Sequence, residues 1–386
     1  MADDHSSGPA DGPVRFAMIG GGSGAFIGPV HRSAARLDGN LQLAAGCFSS
    51  DPVRNRETGA QMGLAPERVY SSHDDLLKQE ARRPAAERIE FITIVTPNHL
   101  HAPISIEALK YGFAVLCEKP LAMNLAEARA MAKVARDTGL PFALTYTYLG
   151  YPLVREARAL VAEGAIGEIV RVDVSYTQGW LARSIENEGD RQAAWRTDPA
   201  QSGVGGAIGD IGVHAQNLAE YVSGQQITKV CADLRSSRPS RQLDDDASMM
   251  LHFDNGARGT LVASQICSGD ENRLVLSVHG SEGSLRWEQE HPTVLWHCPA
   301  DAPARRITAN SALLTCPEAR AMVRLPGGHP EGYIEAFSNI YRAFAESLRG
   351  KAQVPATIED GVRSLAFVEA AIASSAAGSK WQSLEP

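Results

Sequence analysis

Two widely separated runs of polar residues carry side chains that can move a proton. The first is Glu118-Lys119-Pro120, and the second contains Asp210 and His214 after a glycine-rich approach. Residues four apart share one face of a helix, so the imidazole of His214 would lie beside a carboxylate that can orient it. A lysine that holds a hydroxyl oxygen and an oriented histidine are suited to acid–base chemistry on a hydroxyl group.

Each of these residues also has a simpler explanation. Glu118 and Lys119 could form a surface ion pair. Asp210 could cap a helix, and His214 could be a satisfied core histidine. Charged groups at the carboxyl ends of parallel strands are more often functional, however, and Pro120 makes a cis peptide possible there. We therefore expect catalysis by Lys119, Asp210 and His214.

A glycine-rich turn separates the first apolar run from the first helix. Gly20 and Gly22 form G-x-G, and Ala25 can serve as the last small residue. Such a turn lets the backbone approach a pyrophosphate at a helix N-terminus, although a tight turn that binds nothing is the alternative. Because the turn opens a βαβ series, we expect it to bind a dinucleotide, with Phe26 and Ile27 alongside.

The second strand ends at Ser49, where dinucleotide-binding proteins usually carry an acid. Ser49 could bind the ribose, and Arg54 in the next helix lies within reach of a 2′-phosphate. Alternatively, Ser49 and Asp51 could cap the helix that begins near Pro52. The two interpretations are compatible, so both NAD and NADP stay open as cofactors.

A further run, from Thr96 to His101, follows another strand at the same edge. His99 and His101 could suggest a metal, but they have no acidic or cysteine partner nearby in the sequence. We favour helix capping and cofactor contact, and we expect no metal site. The cofactor contacts expected at this edge are Thr96, Pro97, Asn98, His101, Glu118 and Lys119.

These groups need a parallel sheet to bring them together. Short apolar runs alternate with amphipathic helical stretches over the first part of the chain, which is typical of an α/β Rossmann-type, doubly wound parallel sheet. The predicted strands are Val14 to Ile19, Leu41 to Phe48, Ile89 to Thr96, Phe113 to Cys117 and Pro141 to Thr147.

After Gly150 the pattern changes to period two, as in Val170, Val172, Val174 and Tyr176. This alternation predicts half-exposed strands, and hence an α+β domain with a large, mostly antiparallel open sheet. The other predicted strands are Ile227 to Leu234, Ser248 to Phe253, Arg258 to Ile266, Arg273 to His279 and Ser284 to Gln289. Helices are predicted near Ile211 to Val222, Tyr333 to Leu348 and Ile358 to Ala377, and a long surface loop from Pro299 to Pro330.

This organisation predicts three parts of the chain. Residues 1–13 form a disordered tail, residues 14–148 a dinucleotide-binding Rossmann domain, and residues 149–386 an α+β domain for substrate binding and oligomerisation. The last helices of the second domain could pack back on the first domain.

Composition restricts the class of protein further. The 386 residues include 37 Lys and Arg against 45 Asp and Glu, a formal charge of 37 − 45 = −8, which disfavours a nucleic-acid partner. The apolar runs are far shorter than the about 20 residues needed to cross a bilayer, so we expect no membrane association. Six scattered cysteines and the absence of a signal-peptide pattern favour reduced thiols and a cytoplasmic location.

Together these motifs resemble the Gfo/Idh/MocA oxidoreductases, the family of glucose-fructose oxidoreductase and inositol dehydrogenase. The resemblance extends from about Val14 to the last helix, and it implies hydride transfer between nicotinamide and a hydroxyl-bearing carbon of a sugar, cyclitol or related polyol. By the same resemblance, His214 would be the general acid and base and Lys119 would hydrogen-bond the reacting oxygen. Asp210 would position the substrate or the imidazole.

The resemblance also indicates a substrate region. Tyr176-Thr177-Gln178-Gly179-Trp180 and Trp195-Arg196 are similar to members that oxidise sugars and anhydrosugars. Aromatic faces suit the C–H faces of a pyranose, although each ring could equally belong to the core. The substrate residues expected on this basis are Tyr148, Tyr176, Gln178, Trp180, Trp195 and Arg196.

Two features depart from the family pattern, namely Ser49 in place of the acid and the apparent insertion of Ser23-Gly24-Ala25. Members commonly form dimers or tetramers through the second sheet, and the valine row from Val170 fits a homodimer or homotetramer. Two other functions stay open. One is a nicotinamide-binding sensor without turnover, and the other is an enzyme that uses transient oxidation with a bound cofactor to cleave a glycosidic bond.

Overall fold

The computed structural model describes residues 12–351, 354 and 356–384. The predicted tail, residues 1–13, lies outside this part of the chain except for its last two residues. The described residues form two β-sheets, one of five strands and one of nine, with helices packed against both. The division into domains at residues 148 and 149 stays a prediction.

The first sheet is the predicted parallel Rossmann-type sheet. All its neighbouring strands run parallel, in the order β2-β1-β3-β4-β5, and every strand is largely buried because helices cover both faces. The strands are β1 (Val14–Gly20), β2 (Leu41–Cys47), β3 (Phe91–Val95), β4 (Ala114–Cys117) and β5 (Phe142–Leu144).

Helices follow the strands of this sheet, as the alternating pattern predicts. The helix after β2 begins where its cap directs it: the Asp51 side chain accepts hydrogen bonds from the amides of Val53 and Arg54. The helices are α1 (Ile27–Leu37), α2 (Pro52–Gln61), α3 (His73–Ala81), α4 (His101–Lys110) and α5 (Leu125–Thr138).

The second sheet is mostly antiparallel, with one parallel pair, β6 and β9, near its middle. The strand order is β13-β12-β11-β10-β6-β9-β8-β7-β14. Its strands are β6 (Ile169–Thr177), β7 (Ile227–Arg235), β8 (Asp246–Phe253), β9 (Arg258–Ser264), β10 (Arg273–Gly280), β11 (Gly283–Glu288), β12 (Val294–Pro299), β13 (Arg305–Thr308) and β14 (Gln382–Ser383).

Helices cover one face of the second sheet, and one late helix reaches the first sheet. The aromatic rings of α11 (Tyr333–Leu348) pack on Phe16 of β1 and Phe91 of β3, with Phe344 edge-on to Phe91 at 5.1 Å. The remaining helices are α6 (Pro152–Ala162), α7 (Arg191–Arg196), α8 (Pro199–Ser202), α9 (Val213–Ser223), α10 (Pro317–Ala321) and α12 (Ile358–Ala376).

From the sequence, the valine row of β6 was expected on the open face of the second sheet. The structure places most of it on the other face. Val172 and Val174 are buried in the core beneath α9, and of the three valines only Val170 is exposed. The opposite face of β6 carries Arg171 and Asp173, which form an ion pair. The period-two interpretation was right, but the apolar positions face the helices that pack on the sheet, and the polar positions face the open side.

The segment from Pro299 to Pro330 is not simply the predicted long surface loop. It contains β13 and α10, and a buried glutamate of α6 anchors it. Glu156 accepts hydrogen bonds from the Thr315 amide and hydroxyl and from the Cys316 amide, each at 2.8 Å. The anchor lies about 160 residues away in the sequence, so local periodicity does not reveal it.

Candidate active site

A cavity of about 810 Å³ opens between the carboxyl ends of the first sheet and the helix-covered side of the second. Carboxyl ends of parallel strands are where ligands bind in such sheets. The cavity brings together most of the residues expected from the sequence: Phe26, Ile27, Thr96, Asn98, Glu118, Lys119, Tyr176, Gln178, Trp180, Trp195, Arg196, Asp210 and His214.

Lys119 and Asp210 form an ion pair in the cavity wall. Lys119 Nζ donates to Asp210 Oδ1 at 2.8 Å and to the Asp210 main-chain oxygen at 2.9 Å. Both side chains are largely shielded, with exposures of 15% and 18%. Because an ammonium group has three N–H donors, one donor stays available to an oxygen atom in the cavity. The peptide between Lys119 and Pro120 is cis.

The Asp210 carboxylate has further partners besides the lysine. Gln265 Nε2 donates to its second oxygen at 2.9 Å, and Arg196 Nε lies 3.5 Å from the same oxygen. Burial alone would raise the pKa of this carboxyl group, but the charges of Lys119 and Arg196 outweigh burial and hold the pKa well below its usual range. The carboxylate accepts hydrogen bonds from Lys119 and Gln265, and its role in orienting His214 stays a prediction.

A π-helical turn, Ile208–Gly212, places Asp210 at the start of α9. This begins three residues before the helix predicted from Ile211. The turn is held by the side chain of Asp244, which accepts hydrogen bonds from the amides of Gly206 at 2.7 Å and Ile208 at 2.8 Å. Such turns widen a helix locally and often occur at functional sites.

His214 lies one turn further along, inside a group of tyrosines. The rings of Tyr146, Tyr148 and Tyr176 lie edge-on to the imidazole with centroids 5.6, 5.6 and 5.7 Å away. Burial, together with the positive charge of Lys119, lowers the pKa of His214 to about 3. The imidazole is therefore neutral at pH 7 and has an unprotonated nitrogen that can accept a proton.

Tyr148 does not line the cavity, in contrast to its expected role as a substrate contact. Its side chain is fully buried, and its hydroxyl donates to Asn217 Oδ1 at 2.9 Å. The residue follows β5 in a short helical turn that carries its ring into the core against His214. Tyr148 therefore restrains the imidazole from behind, and the alternative of a core tyrosine is the correct one.

His101 likewise lies behind the cavity wall instead of in it. Its ring nitrogens are 2.8 Å from the main-chain oxygen of Pro120 and 3.0 Å from that of Thr96. The ring is fully buried and connects the loops that follow β3 and β4. Pro97 is also absent from the lining residues, so the direct contacts of this run are those of Thr96 and Asn98.

Glu118 belongs to a buried hydrogen-bond network beneath the cavity. Its Oε1 accepts from Thr145 Oγ1 at 2.6 Å and lies 2.8 Å from His31 Nε2, while His31 Nδ1 lies 2.9 Å from the Tyr341 hydroxyl. Burial would raise the pKa of Glu118, but the hydrogen bonds and charges of His31, Lys119 and Thr145 lower it to about 2. Glu118 is therefore a fixed negative charge at neutral pH.

The glycine turn has the shape of a dinucleotide cradle. A Cβ on Gly20 would lie 2.6 Å from the Val95 oxygen, and one on Gly28 would overlap the Gly21 oxygen, so side chains are excluded at both positions. Gly28, and not Ala25, is thus the small residue that allows α1 to pack against β1. Among the described buried side-chain polar atoms, Thr96 Oγ1 at this rim has no hydrogen-bond partner. These features fit a bound dinucleotide.

The residues expected near the adenosine ribose lie at the end of β2. Ser49 Oγ accepts a hydrogen bond from the Asp51 amide at 3.1 Å, and Asp51 caps α2 through the Val53 and Arg54 amides at 2.9 and 3.1 Å. Capping by Asp51 is therefore present, and it leaves the Arg54 side chain at the first turn of α2. Neither Ser49 nor Arg54 lines the 810 Å³ cavity.

The aromatic residues expected near a substrate form one side of the cavity. The Arg196 guanidinium stacks 4.3 Å from the Trp195 ring and lies 5.9 Å from the Trp180 ring. Arg196 also faces Asp210, so the stack adjoins the Lys119 ion pair. Flat apolar faces beside ionic groups are suited to a ligand with both C–H and hydroxyl surfaces.

An amide cluster forms another side of the cavity. Asn272 Oδ1 accepts hydrogen bonds from the Tyr176 hydroxyl and from Gln178 Nε2, both at 2.7 Å, and Gln289 Nε2 lies 3.4 Å from the same hydroxyl. Burial raises the pKa of Tyr176. The cluster presents fixed amide donors and acceptors, which are typical partners of sugar hydroxyl groups.

Several lining residues carry no motif in the sequence. The i,i+4 spacing of Tyr333 and Phe337 on α11 could have indicated one buried face, but not its position over the cavity. Asn272 and Glu290 lie at the ends of strands in the other half of the molecule. The lining residues not anticipated from the sequence are Thr145, Thr147, Tyr151, Gln192, Ile211, Glu271, Asn272, Gln289, Glu290, Pro292, Tyr333 and Phe337.

Within the described residues, His, Cys, Asp and Glu side chains nowhere form a group of three or more that could hold a metal ion. In the same part of the chain, every helix is too short or too polar to cross a bilayer.

Comparison with known proteins gives the same architecture over nearly the whole chain. An oxidoreductase of Bacillus subtilis, YfiI, is 32% identical over 96% of both chains. Levoglucosan dehydrogenase of Pseudarthrobacter phenanthrenivorans is 29% identical over 76% of this chain and 79% of its own. The crystal structure of an inositol dehydrogenase homologue with NAD⁺ from Azotobacter vinelandii superposes with a TM-score of 0.92, at 34% identity, and covers 97% of this chain and 98% of that chain.

Family descriptions match both halves of the chain. Residues 14–146 match an oxidoreductase family with an NAD-binding Rossmann fold, and residues 154–286 match the Gfo/Idh/MocA C-terminal domain. With the parallel sheet, the glycine cradle and the cavity between the two sheets, these matches confirm the resemblance drawn from the motifs. The chain belongs to the Gfo/Idh/MocA oxidoreductases and is an NAD-binding oxidoreductase of that family.

Proposed function

We propose that this protein is a nicotinamide-dependent dehydrogenase that oxidises a secondary hydroxyl group of an uncharged sugar or cyclitol. The observation that carries the proposal is the placement of a shielded Lys119–Asp210 ion pair and a neutral, buried His214 in one cavity beside the dinucleotide cradle. The lysine supplies a hydrogen-bond donor and the histidine a proton acceptor, which are the two groups that oxidation of a hydroxyl requires.

The residues of the chain divide the proton chemistry between them. A bound nicotinamide would supply the hydride acceptor. The free N–H of Lys119 donates to the hydroxyl oxygen and stabilises the negative charge that develops there as its proton leaves. A ring nitrogen of His214 accepts that proton, because burial keeps the imidazole neutral. Asp210 holds Lys119 in place, and the reverse transfers serve reduction of the ketone.

Charge in the cavity supports an uncharged substrate. Two positive side chains and four negative ones line the described cavity, which gives a formal 2 − 4 = −2. A sugar phosphate or uronate would meet this excess of negative charge. The stacked Trp195 and the amide cluster of Asn272 supply the apolar and polar surfaces that a neutral ring needs. Levoglucosan and inositol, in the names of the relatives, are such rings.

We propose NAD(H) as the working cofactor. The Azotobacter vinelandii homologue was crystallised with NAD⁺, at 34% identity to this chain. Ser49 does not repel a 2′-phosphate and Arg54 stands nearby, so some activity with NADP is expected as well. The comparison of the two cofactors is therefore part of the first experiment.

The test is absorbance at the reduced-nicotinamide band with NAD or NADP and a panel of inositols, aldoses, anhydrosugars, glycosides and a monophosphate of each active compound. A rise with one neutral compound, and little with its phosphate, is the expected result. No rise across the panel, with cofactor binding confirmed by calorimetry, would contradict the proposal and favour a sensor. Cleavage of a glycoside without net reduction would favour the transient-oxidation enzyme.

We also propose that a second copy of the chain covers the open face of the second sheet. Although Val172 and Val174 are buried, Met250 and Trp296 lie on this face with 51% and 43% of their surfaces exposed. Large apolar side chains on a sheet face are typical of contacts between subunits. Sedimentation should show a homodimer or homotetramer, and Met250→Glu should weaken it. A monomeric wild-type protein would contradict the idea.

The cellular location proposed for the protein is the cytoplasm. Its six cysteines, Cys47, Cys117, Cys231, Cys267, Cys298 and Cys316, are all free thiols, as is usual for proteins of reducing compartments. Fractionation of cells that express the protein, with activity followed in each fraction, tests this location.

A further inference from the structure

One connector, residues 236–245 between β7 and β8, lies behind two different parts of the cavity wall. Two of its residues are buried, Arg241 and Asp245, and the side chain of each is 1% exposed. No motif marks this arginine, and it does not line the cavity. A fully buried guanidinium is uncommon unless its donors are satisfied, so its partners indicate its role.

Arg241 uses every donor that a guanidinium has. Nε and Nη2 donate to the two carboxylate oxygens of Glu186 at 2.9 and 3.0 Å. Nη1 donates to the Leu181 main-chain oxygen at 2.8 Å and to Asp245 Oδ2 at 2.7 Å, and Nη2 donates to the Arg183 main-chain oxygen at 2.9 Å. These are five hydrogen bonds for five N–H groups.

Three of the four partners belong to one short segment, residues 181–186. This segment directly follows Trp180 and leads through a short turn to α7, which carries Trp195 and Arg196. Arg241 therefore ties down the chain between the two tryptophans that form the aromatic side of the cavity. The planar guanidinium fork of Arg241 fixes both the orientation of residues 181–186 and their distance from the connector. A lysine ammonium group could not fix the orientation.

The same connector also holds the helix that carries the catalytic groups. Asp244 binds the amides of Gly206 and Ile208 through its side chain, and its main-chain oxygen accepts a hydrogen bond from the Ala207 amide at 2.8 Å. Residue 207 directly precedes the π-helical turn with Asp210. The connector thus contacts the substrate-binding segment on one side and the catalytic turn on the other.

On this basis, and assuming the proposed function, we propose that Arg241 is a positioning residue for substrate recognition. Through Glu186 and the carbonyl groups of Leu181 and Arg183, it sets where the Trp180–Trp195 surface lies relative to Asp210 and His214. Arg241 touches neither substrate nor cofactor. Loss of the fork should release the segment and weaken sugar binding, while the dinucleotide cradle, built from the other sheet, keeps its shape.

The test compares Glu186→Gln and Arg241→Lys with wild type. Glu186→Gln removes one charge of the pair but leaves the buried arginine its other partners, so it avoids the risk that an Arg241→Ala protein fails to fold. Arg235→Gln is the matched control, because Arg235 forms an exposed ion pair with Asp246 at the end of β7. Readouts are hydrogen–deuterium exchange, NADH affinity, and KM and kcat for the panel compound that wild type oxidises fastest.

Both variants should raise KM about tenfold, as expected for loss of a charge-assisted hydrogen bond, with a smaller change in kcat. Exchange should rise in peptides covering residues 181–196 and stay unchanged in residues 14–37, and NADH affinity should stay within about twofold. Arg235→Gln should match wild type. Unchanged exchange in residues 181–196 overturns the proposal, as does a parallel loss of NADH affinity and melting temperature.

The exchange measurement needs no substrate, so the two proposals fail separately. If wild type oxidises no panel compound, the proposed function fails, whereas the exchange pattern still decides whether Arg241 restrains the segment. A rise confined to residues 181–196 supports the restraint. A rise spread over both sheets shows a general structural role and overturns it.

Discussion

The residues that form the two walls of the cavity are distributed differently along the sequence. The cofactor-side wall comprises Phe26 and Ile27, which follow the glycine turn, together with Thr96 and Glu118-Lys119, and it consists of short runs after the ends of neighbouring parallel strands. The substrate-side wall comprises Trp180, Trp195, the Asn272 cluster and Tyr333, which are scattered over loops, strands and a late helix. Parallel strands bring their carboxyl ends to one edge whatever lies between them, so local runs are sufficient to define the first wall.

The substrate-side wall depends on contacts that no local pattern records. Arg241 holds residues 181–186 from about 60 positions away, and Asp244 holds the turn before Asp210 from nearly 40. Cofactor binding and substrate binding should therefore respond to different substitutions. Lys119 and His214, which connect the two walls, should affect the chemical step instead.

The largest expected effect is on the group that connects the walls. Lys119→Ala removes the donor to the reacting oxygen and leaves Asp210 without its main partner. Turnover should fall about 10²-fold or more, the usual loss for a group that handles a proton, while NADH affinity is retained. Steady-state kinetics and NADH titration measure the two quantities. Lys110→Ala, at an exposed ion pair, is the control, and unchanged turnover in Lys119→Ala removes the lysine from the mechanism.

The second expected effect follows from the pKa of His214. The pKa is about 3 in the folded protein, below the value of about 6.5 in an unfolded chain. Between these values the unfolded chain binds a proton that the folded protein does not, so stability from the neutral imidazole is present above pH 6.5 and is lost as the pH falls. Relative to His214→Asn, the free energy of unfolding of wild type should fall by about 1.4 kcal/mol for each unit by which the pH drops below 6.5.

Urea unfolding of both proteins from pH 7 to pH 4 measures this difference. Taking the difference between wild type and variant removes the opposite contribution of Asp244, whose pKa is raised by burial to about 6. A gap that stays constant with pH would show that folding does not lower the pKa of His214, and the assignment of an imidazole kept neutral by burial would then be wrong.

The elements that the sequence predicted well are those fixed by local pattern. The five parallel strands and the bounds of α11 follow from apolar runs and helical periodicity, and the fold prediction is confirmed. The predictions were wrong where contacts with residues distant in the sequence determine the structure. The valine row of β6 was assigned to the wrong face, because the sequence shows alternation but not which face the helices cover.

The same distinction holds within the site. The grouping of Lys119, Asp210 and His214 in one cavity was foreseen from motifs, and their catalytic roles stay predictions. The pairing of Asp210 with Lys119 was not foreseen, because helical spacing shows a shared face and not the nearest charge. Tyr148 was expected in the cavity but is buried in the core. The sequence alone does not distinguish an aromatic residue of the core from one of a binding surface.

A substitution in the glycine turn should affect cofactor binding and leave the substrate-side wall unchanged. A Cβ at Gly28 overlaps the Gly21 oxygen, so Gly28→Ala must displace α1 from β1 and misplace the amides at its start. NADH affinity should fall about tenfold or more, corresponding to loss of a charge-assisted hydrogen bond. Fluorescence titration measures this affinity. Ala25→Ser should bind NADH as wild type does. If Ala25→Ser lost more NADH affinity than Gly28→Ala, Ala25 would be the last small residue of the motif.

The smallest expected effect comes from the substrate side. Trp195→Ala removes the ring on which Arg196 stacks at 4.3 Å, and with it an apolar face for a pyranose or cyclitol ring. KM for the sugar should rise about three- to tenfold, the equivalent of one aromatic contact, with NADH affinity unchanged. Trp381→Ala, at an exposed tryptophan against His252, is the matched control. If Trp195→Ala weakened NADH binding as strongly as sugar binding, the two walls would not be separable, because a substitution confined to one would have altered the other.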